Sequence, residues 1–292
     1  MKFLISNDDG VNAPGLLALY QALSDIGEVK VVAPDTEQSG CASAINISRP
    51  LYPQQTAAGF IALNGSPADC VYLALHELYC DTSFDYVITG INSGANLGQD
   101  VLFSGTFGAA LTAQLFGVPA IATSLVGGAS DSNSLNAISH YNFAAAEIVK
   151  LFTETDIPKK MKNLPYHVLN VNIPDLKDFD KIQGRKLTCL SHDSIEKPVH
   201  RMADPRGRNA YWLSLRKFKP SPAKNYLLSP ISKNNNSSLE LSTALNQRSN
   251  NSDIINHVTD TQAVANGFIS LSPVKLHHTP ATALEKLSTL EG

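Results

Sequence analysis

Two adjacent carboxylates, Asp8 and Asp9, directly follow a short apolar run, Phe3-Leu4-Ile5, and precede Gly10. Burying carboxylates is costly unless they are paired or bind a metal. In open α/β sheets the ligand crevice lies just outside the carboxyl ends of the strands. The pair therefore reads as two anionic ligands of a divalent cation. Taken alone, Asn7-Asp8-Asp9-Gly10 is also a tight strand-to-helix turn, since Asn and Asp favour turns and Gly10 can supply a positive φ.

Three other stretches offer matching parts. Thr36-Glu37-Gln38-Ser39-Gly40 is a polar loop after a second apolar run, Val29 to Ala33. Ser39 is a candidate hydroxyl ligand or an ordinary turn serine. Gly90-Ile91-Asn92-Ser93-Gly94-Ala95-Asn96-Leu97-Gly98 is rich in small residues and amides. It suits close backbone approach to a ligand, and the side-chain oxygen of Asn92 suits a hard cation; a plain turn is the alternative. Ser104-Gly105-Thr106 opens an apolar helix running to about Gly117. A helix amino terminus offers free N–H groups and partial positive charge, so the trio reads as a phosphate cradle or as a simple cap. Neither Gly-x-x-x-x-Gly-Lys nor Gly-x-Gly-x-x-Gly is present, which argues against a P-loop and a dinucleotide fingerprint.

Asp8, Asp9, Ser39 and Asn92 all follow predicted parallel strands, whose ends converge at one edge of a sheet. All four offer oxygen, which selects Mg²⁺ or Mn²⁺, with Ca²⁺ as another occupant, over zinc or copper. Two carboxylates neutralise a divalent ion, and a neutral site accepts an anionic phosphate. Asn96 and the Ser104-Gly105-Thr106 amides then hold the phosphate oxygens. A cation there polarises a phosphate oxygen and acidifies water. Asp8 or Asp9 orients that water, or Asp8 attacks phosphorus as a nucleophile.

The elements that position these residues follow from the pattern. Pro14 sits at a first-turn helix position, and Leu16, Leu19, Tyr20 and Leu23 recur at helical spacing. With the flanking apolar runs this makes a βαβ unit and implies a parallel sheet. Residues 44–63 suggest a hairpin on the sheet edge. Ser66 and Pro67 start a helix, Asp85–Thr89 and Val118–Ser124 are buried strands, residues 134–153 a long helix and Tyr166–Val171 a further strand. The α/β body is expected to span residues 1–175. Residues 176–292 form a β-rich extension, with segments at Arg185–Leu190 and Ala210–Phe218, a mobile insertion at 220–252, a short helix after Asp260 and Thr261, a strand at Gly267–Leu271 and a last helix at Ala281–Leu290.

Bulk composition narrows the function. The chain has 292 residues, 43% hydrophobic, enough for a sizeable core. A net charge of −3 with 17% charged residues gives no basic stripe for a nucleic-acid polymer. Cys41, Cys70, Cys80 and Cys189 are widely spaced, so they predict neither a zinc site nor an oxidising compartment. The opening residues do not read as a signal peptide, and a cytoplasmic location is expected. No charge falls between Asp100 and Asp131, yet Gly105, Gly108, Gly117 and Pro119 punctuate the stretch. A buried helix leading into a buried parallel strand explains it better than a membrane span.

The ordered motifs resemble the SurE family, the survival-protein 5′/3′-nucleotidases. The resemblance is carried by Ser6-Asn7-Asp8-Asp9-Gly10 with Ala13-Pro14-Gly15, Val32-Ala33-Pro34 with Ser39-Gly40, Gly65-Ser66-Pro67-Ala68-Asp69-Cys70-Val71, the Gly90–Gly98 loop and Ser104-Gly105-Thr106. Asp204-Pro205-Arg206-Gly207 and Thr259-Asp260-Thr261 fit as well. It implies a Rossmann-like three-layer core and a metal-dependent phosphatase acting on nucleoside monophosphates, in some members also on polyphosphate. It implies Asp8, Asp9, Ser39 and Asn92 as the metal ligands. A homodimer or homotetramer with exchanged C-terminal arms is also implied. Ser66 and Phe103 depart from the family's usual Thr and Tyr. Two rival functions share the fold: a dinucleotide-dependent oxidoreductase, disfavoured by the missing glycine fingerprint, and a non-catalytic nucleotide-binding regulator. His76, His140 and Trp212 read as structural.

Overall fold

The first strand, β1 (Lys2–Ser6), sends Phe3 and Ile5 into one apolar cluster and Leu4 into another, all fully buried. A strand buried on both faces is the mark of a parallel sheet covered by helices on each side. The structure is a computed structural model, and it describes residues 1–127, 135–174, 181–192, 199–213 and 258–275.

The elements follow in order. After β1 come α1 (Pro14–Ser24), β2 (Glu28–Pro34), β3 (Pro53–Gln55), β4 (Ile61–Leu63) and α2 (Pro67–Leu73), which runs on into a π-helical turn at Ala74–Leu78. Next are β5 (Tyr86–Ser93), a 3₁₀ turn (Gly98–Leu102), α3 (Gly105–Leu115), β6 (Ala120–Val126), α4 (Leu135–Glu154), α5 (Ile157–Met161) and β7 (His167–Pro174). The chain continues with β8 (Arg185–Leu187), β9 (Val199–Ala203), β10 (Asn209–Leu213), α6 (Asp260–Ala265) and β11 (Ile269–Lys275).

Among the described residues nine strands form one sheet in the order β3-β4-β2-β1-β5-β6-β7-β11-β8. The central strands β4, β2, β1, β5, β6 and β7 are parallel, whereas β3 runs antiparallel to β4 and β11 antiparallel to β7. Buried Leu16, Leu19 and Leu23 of α1 and Ala144, Ile148 and Leu151 of α4 pack with Phe3 and Ile5 on one face. Cys70 and Val71 of α2 and Ala109, Ala110 and Ala113 of α3 pack with Leu4 on the other. The fold is thus α/β with a mostly parallel sheet between two helical layers, as expected. Fully burying a side chain such as Leu4 contributes roughly 1.5–3 kcal/mol.

Local chemistry sets the helix starts. Pro14 occupies the first turn of α1. Ser66 accepts from the Asp69 N–H while Asp69 accepts from the Ser66 N–H, a capping box that closes the start of α2. The uncharged stretch after Asp100 is the buried helix α3 followed by the buried strand β6. Among the described residues no helix is long and apolar enough to cross a membrane.

The sheet does not end near residue 175. β11 and β8 extend it beyond β7, and the described residues up to His192 form one compact unit with residues 258–275. The physical reason is that β7 carries the apolar residues Leu169, Val171 and Ile173 and still has an open edge, which β11 covers with Ile269 and Leu271. The β9–β10 hairpin belongs to a second unit. Its turn is Asp204-Pro205-Arg206-Gly207. There Asp204 accepts from the N–H groups of Arg206 and Arg208, each at 2.9 Å. β9 is a strand that the sequence pattern misses. Ala210–Phe218 is observed as Asn209–Leu213 within the described residues. The expected insertion at 220–252 and the helix at Ala281–Leu290 lie outside them.

Candidate metal and phosphate site

β1 delivers Asp8 and Asp9 to the carboxyl rim of the sheet, and hydrogen bonds draw the other loops to them. Gln38 donates its N–H to the Asp8 carbonyl oxygen at 2.7 Å, which holds the Thr36–Gly40 loop, and with it Ser39, beside the pair. Ser93 donates its N–H to Asp9 Oδ2 at 2.9 Å, so the neighbouring Asn92 lies at the same rim. Thr106 donates its hydroxyl to Asp8 Oδ1.

α3 approaches the carboxylates closely. A Cβ added to Gly105 would lie 2.9 Å from Asp8 Cβ and 2.8 Å from Cys41 Sγ. One added to Gly108 would lie 2.2 Å from the Ala42 carbonyl oxygen. Both glycines are therefore required by contact and not by backbone angle. Ala42 donates its N–H to the Phe103 carbonyl oxygen at 3.1 Å, fastening the loop after Ser39 to the start of α3.

The electrostatics are those of an anionic site lacking a resident counter-charge. Asp8 is almost fully buried and Asp9 half-buried. Burial pushes the Asp8 carboxyl above its usual range, against the pull of the Thr106 hydrogen bond. Burial, and then the Asp8 charge, push Asp9 up to about 6. The described residues show no ion pair to either carboxylate. A buried and a half-buried carboxylate beside a hydroxyl and an amide fit a hard divalent cation, which would supply the missing charge.

The site residues differ in how far they are committed elsewhere. Ser39 is exposed and donates its hydroxyl to Glu37 Oε1 at 2.8 Å. Asn92 is partly buried and donates to the Gly94 carbonyl oxygen at 3.0 Å, which leaves its own side-chain oxygen as the acceptor. Ser104 Oγ accepts from the Phe107 N–H and so caps α3. The Thr106 hydroxyl serves Asp8. The side chains of Ser104 and Thr106 thus belong to the helix and to Asp8, and the trio offers the rim the amino end of α3. Asn96 is buried, with its Nδ2 donating to Ser124 Oγ at 2.9 Å. Sequence reasoning misses Asn170, Asn172 and Asp260, fully buried polar residues bonded to the Asn96–Gly98 backbone. The signals available are the polar pair Asn170 and Asn172 inside an apolar strand and the Thr259-Asp260-Thr261 motif, neither of which says where its residues bond.

A mostly parallel α/β sheet that brings two carboxylates, a hydroxyl, an amide and a helix amino terminus to one rim has the donors to receive a cation and a phosphate group there. Comparison with known proteins narrows this class. A model of the family "Survival protein SurE" matches residues 3–197. The chain is 61% identical over 290 residues to 5′-nucleotidase SurE of Psychrobacter cryohalolentis, covering 99% of both chains. It is 40% identical over 293 residues to 5′-nucleotidase SurE of Acinetobacter baylyi, covering all of both chains. The crystal structure of the SurE protein from Aquifex aeolicus superposes with a TM-score of 0.72 at 30% identity over the whole of both chains. The chain belongs to the SurE family.

Proposed function

We propose that this chain is a divalent-metal-dependent nucleotidase that hydrolyses nucleoside 5′-monophosphates, and also 3′-monophosphates, to nucleoside and phosphate. Removal of terminal phosphate from polyphosphate is a further activity of the same site. The observation that carries the reading is the Asp8–Asp9 pair, one carboxylate buried and the other half-buried. No cation of the described residues neutralises it, and Asn92, Ser39 and the amino end of α3 lie around it. The names of the relatives support the nucleotidase assignment.

Asp8, Asp9, Ser39 and Asn92 would hold one Mg²⁺ or Mn²⁺ ion. Bound there, such a cation supplies charge neutralisation and Lewis acidity toward phosphate. The remaining roles fall to the chain itself. Thr106 fixes the Asp8 rotamer through its hydroxyl. Asp9 is the less buried of the two carboxylates and is the group that accepts the proton of the attacking water. The amino end of α3 and Asn96 stabilise the negative oxygens of the phosphoryl group. Phosphorus is attacked by water in line, without an aspartyl-phosphate, because Thr106 and α3 enclose Asp8. Hydrolysis of a chirally labelled phosphate ester in ¹⁸O-water should therefore invert configuration at phosphorus, where a two-step route through Asp8 would retain it.

We place the enzyme in the cytoplasm, in keeping with four free cysteines, and as a homodimer or homotetramer exchanging C-terminal arms. The assignment is tested by phosphate release from a panel of 5′- and 3′-nucleotides with Mn²⁺. Release that a chelator and Asp8→Asn both abolish supports it. Absence of release across the panel overturns it and leaves a nucleotide-binding regulator.

A further inference from the structure

We infer that Asn172 and Asp260 are positioning residues that set the path of the Asn92–Gly98 loop, and through it the geometry of the site. The inference rests on the nucleotidase reading above. It starts from β7. Leu169, Val171 and Ile173 alternate into one apolar cluster, and Val168 begins the opposite face with a residue of the other cluster. At the next two positions on that face the strand carries Asn170 and Asn172, both with no exposed surface. Asparagine is disfavoured inside strands, and a buried amide is costly unless hydrogen-bonded. Both amides bond one residue of the loop, Asn172 through its oxygen and its nitrogen and Asn170 through its nitrogen.

Asn172 grips the Asn96 backbone from both sides. Its Oδ1 accepts the Asn96 N–H at 2.9 Å, and its Nδ2 donates to the Asn96 carbonyl oxygen at 3.0 Å. Asn170 Nδ2 donates to the same oxygen at 2.8 Å. Two residues on, Asp260 Oδ2 accepts the Gly98 N–H at 2.6 Å. The other oxygen of Asp260 accepts from Ser191 at 2.9 Å and Thr261 at 2.8 Å. Asp260 is fully buried and stands 162 residues from Gly98. The loop is thereby fastened at its far end by β7 and α6, and at its near end by the Ser93–Asp9 bond. Asn92 adjoins the near fixed point, and Asn96 carries the far one on its own backbone. A misplacement of about 1 Å at such a site costs on the order of 100-fold in rate.

The test uses Asn172→Ala, with the near-isosteric Asp260→Asn as a second variant that preserves core volume. Each is read by kcat and KM for a nucleoside monophosphate. Mn²⁺ affinity of the metal-stripped protein and amide hydrogen exchange are also measured. The expected result is a fall in kcat and in Mn²⁺ affinity of about 10- to 100-fold. Exchange should accelerate in residues 92–98 and stay unchanged in β1 and β2. Wild-type kcat and Mn²⁺ affinity in both variants would overturn the proposal. So would exchange that accelerates equally throughout the sheet, which marks general destabilisation. A wild-type protein that releases no phosphate from any nucleotide overturns the nucleotidase reading instead. Loop exchange and Mn²⁺ affinity then still decide the clamp.

Discussion

Ser93 donates its backbone N–H to Asp9 Oδ2 across 84 residues of sequence, and this bond brings the end of β5 to the end of β1. Both carboxylates sit where burial works against their charge. Their replacement should therefore separate stability from activity. Asp8→Asn removes a buried charge, so the metal-free variant should melt at or above the wild-type temperature. Phosphate release should fall by more than about 100-fold, beyond the usual effect of losing an outer partner of a metal ligand. Calorimetry of the stripped proteins beside a phosphate assay checks both halves.

Thr106 meets Asp8 through its hydroxyl as well as its backbone N–H, and Thr106→Val keeps the shape of the side chain and the N–H while removing the hydroxyl donor. Mn²⁺ affinity should weaken by about 10- to 100-fold, with the helix content unchanged. Titration of Mn²⁺ into the variant and into wild type measures the difference.

Gly105→Ala would force a methyl group against Asp8 and Cys41, at 2.9 and 2.8 Å from their nearest atoms. The expected cost is about 1–3 kcal/mol in urea denaturation, typical of overpacking. Activity should be lost as Asp8 is displaced.

The Asp9 carboxyl is raised by burial and by Asp8 from its ordinary 3.8 to about 6. Between these values the folded metal-free chain holds a proton that the unfolded chain has released. Its stabilising contribution is full below about 4 and is lost as pH rises through about 6. At most about 3 kcal/mol is involved. A divalent cation competes with that proton, so the rise in melting temperature on adding Mn²⁺ should grow from pH 5 to pH 8. An increment independent of pH would contradict this.

Much of the fold is visible in the sequence because local rules act alone there. The apolar runs of β1 and β2, Pro14 at the head of α1 and Ser66 before α2 each announce an element without tertiary help. The gathering of Asp8, Asp9, Ser39 and Asn92 follows from their places after parallel strands. What stays hidden depends on distant partners. No local pattern says that the Thr106 hydroxyl serves Asp8 98 residues away. Nor does any local pattern place β11 antiparallel beside β7, since only the open edge of β7 selects it. β9 escapes notice because Val199–Ala203 is largely exposed and shows no buried alternation.

The central claim is that Asp8 and Asp9 hold a divalent cation at the rim of the sheet. Electron paramagnetic resonance of Mn²⁺ titrated into metal-stripped protein at pH 8 tests it most directly. One bound ion per chain in wild type, lost in Asp9→Asn and in Asp8→Asn, is the predicted result. Equal binding in wild type and both variants would contradict it.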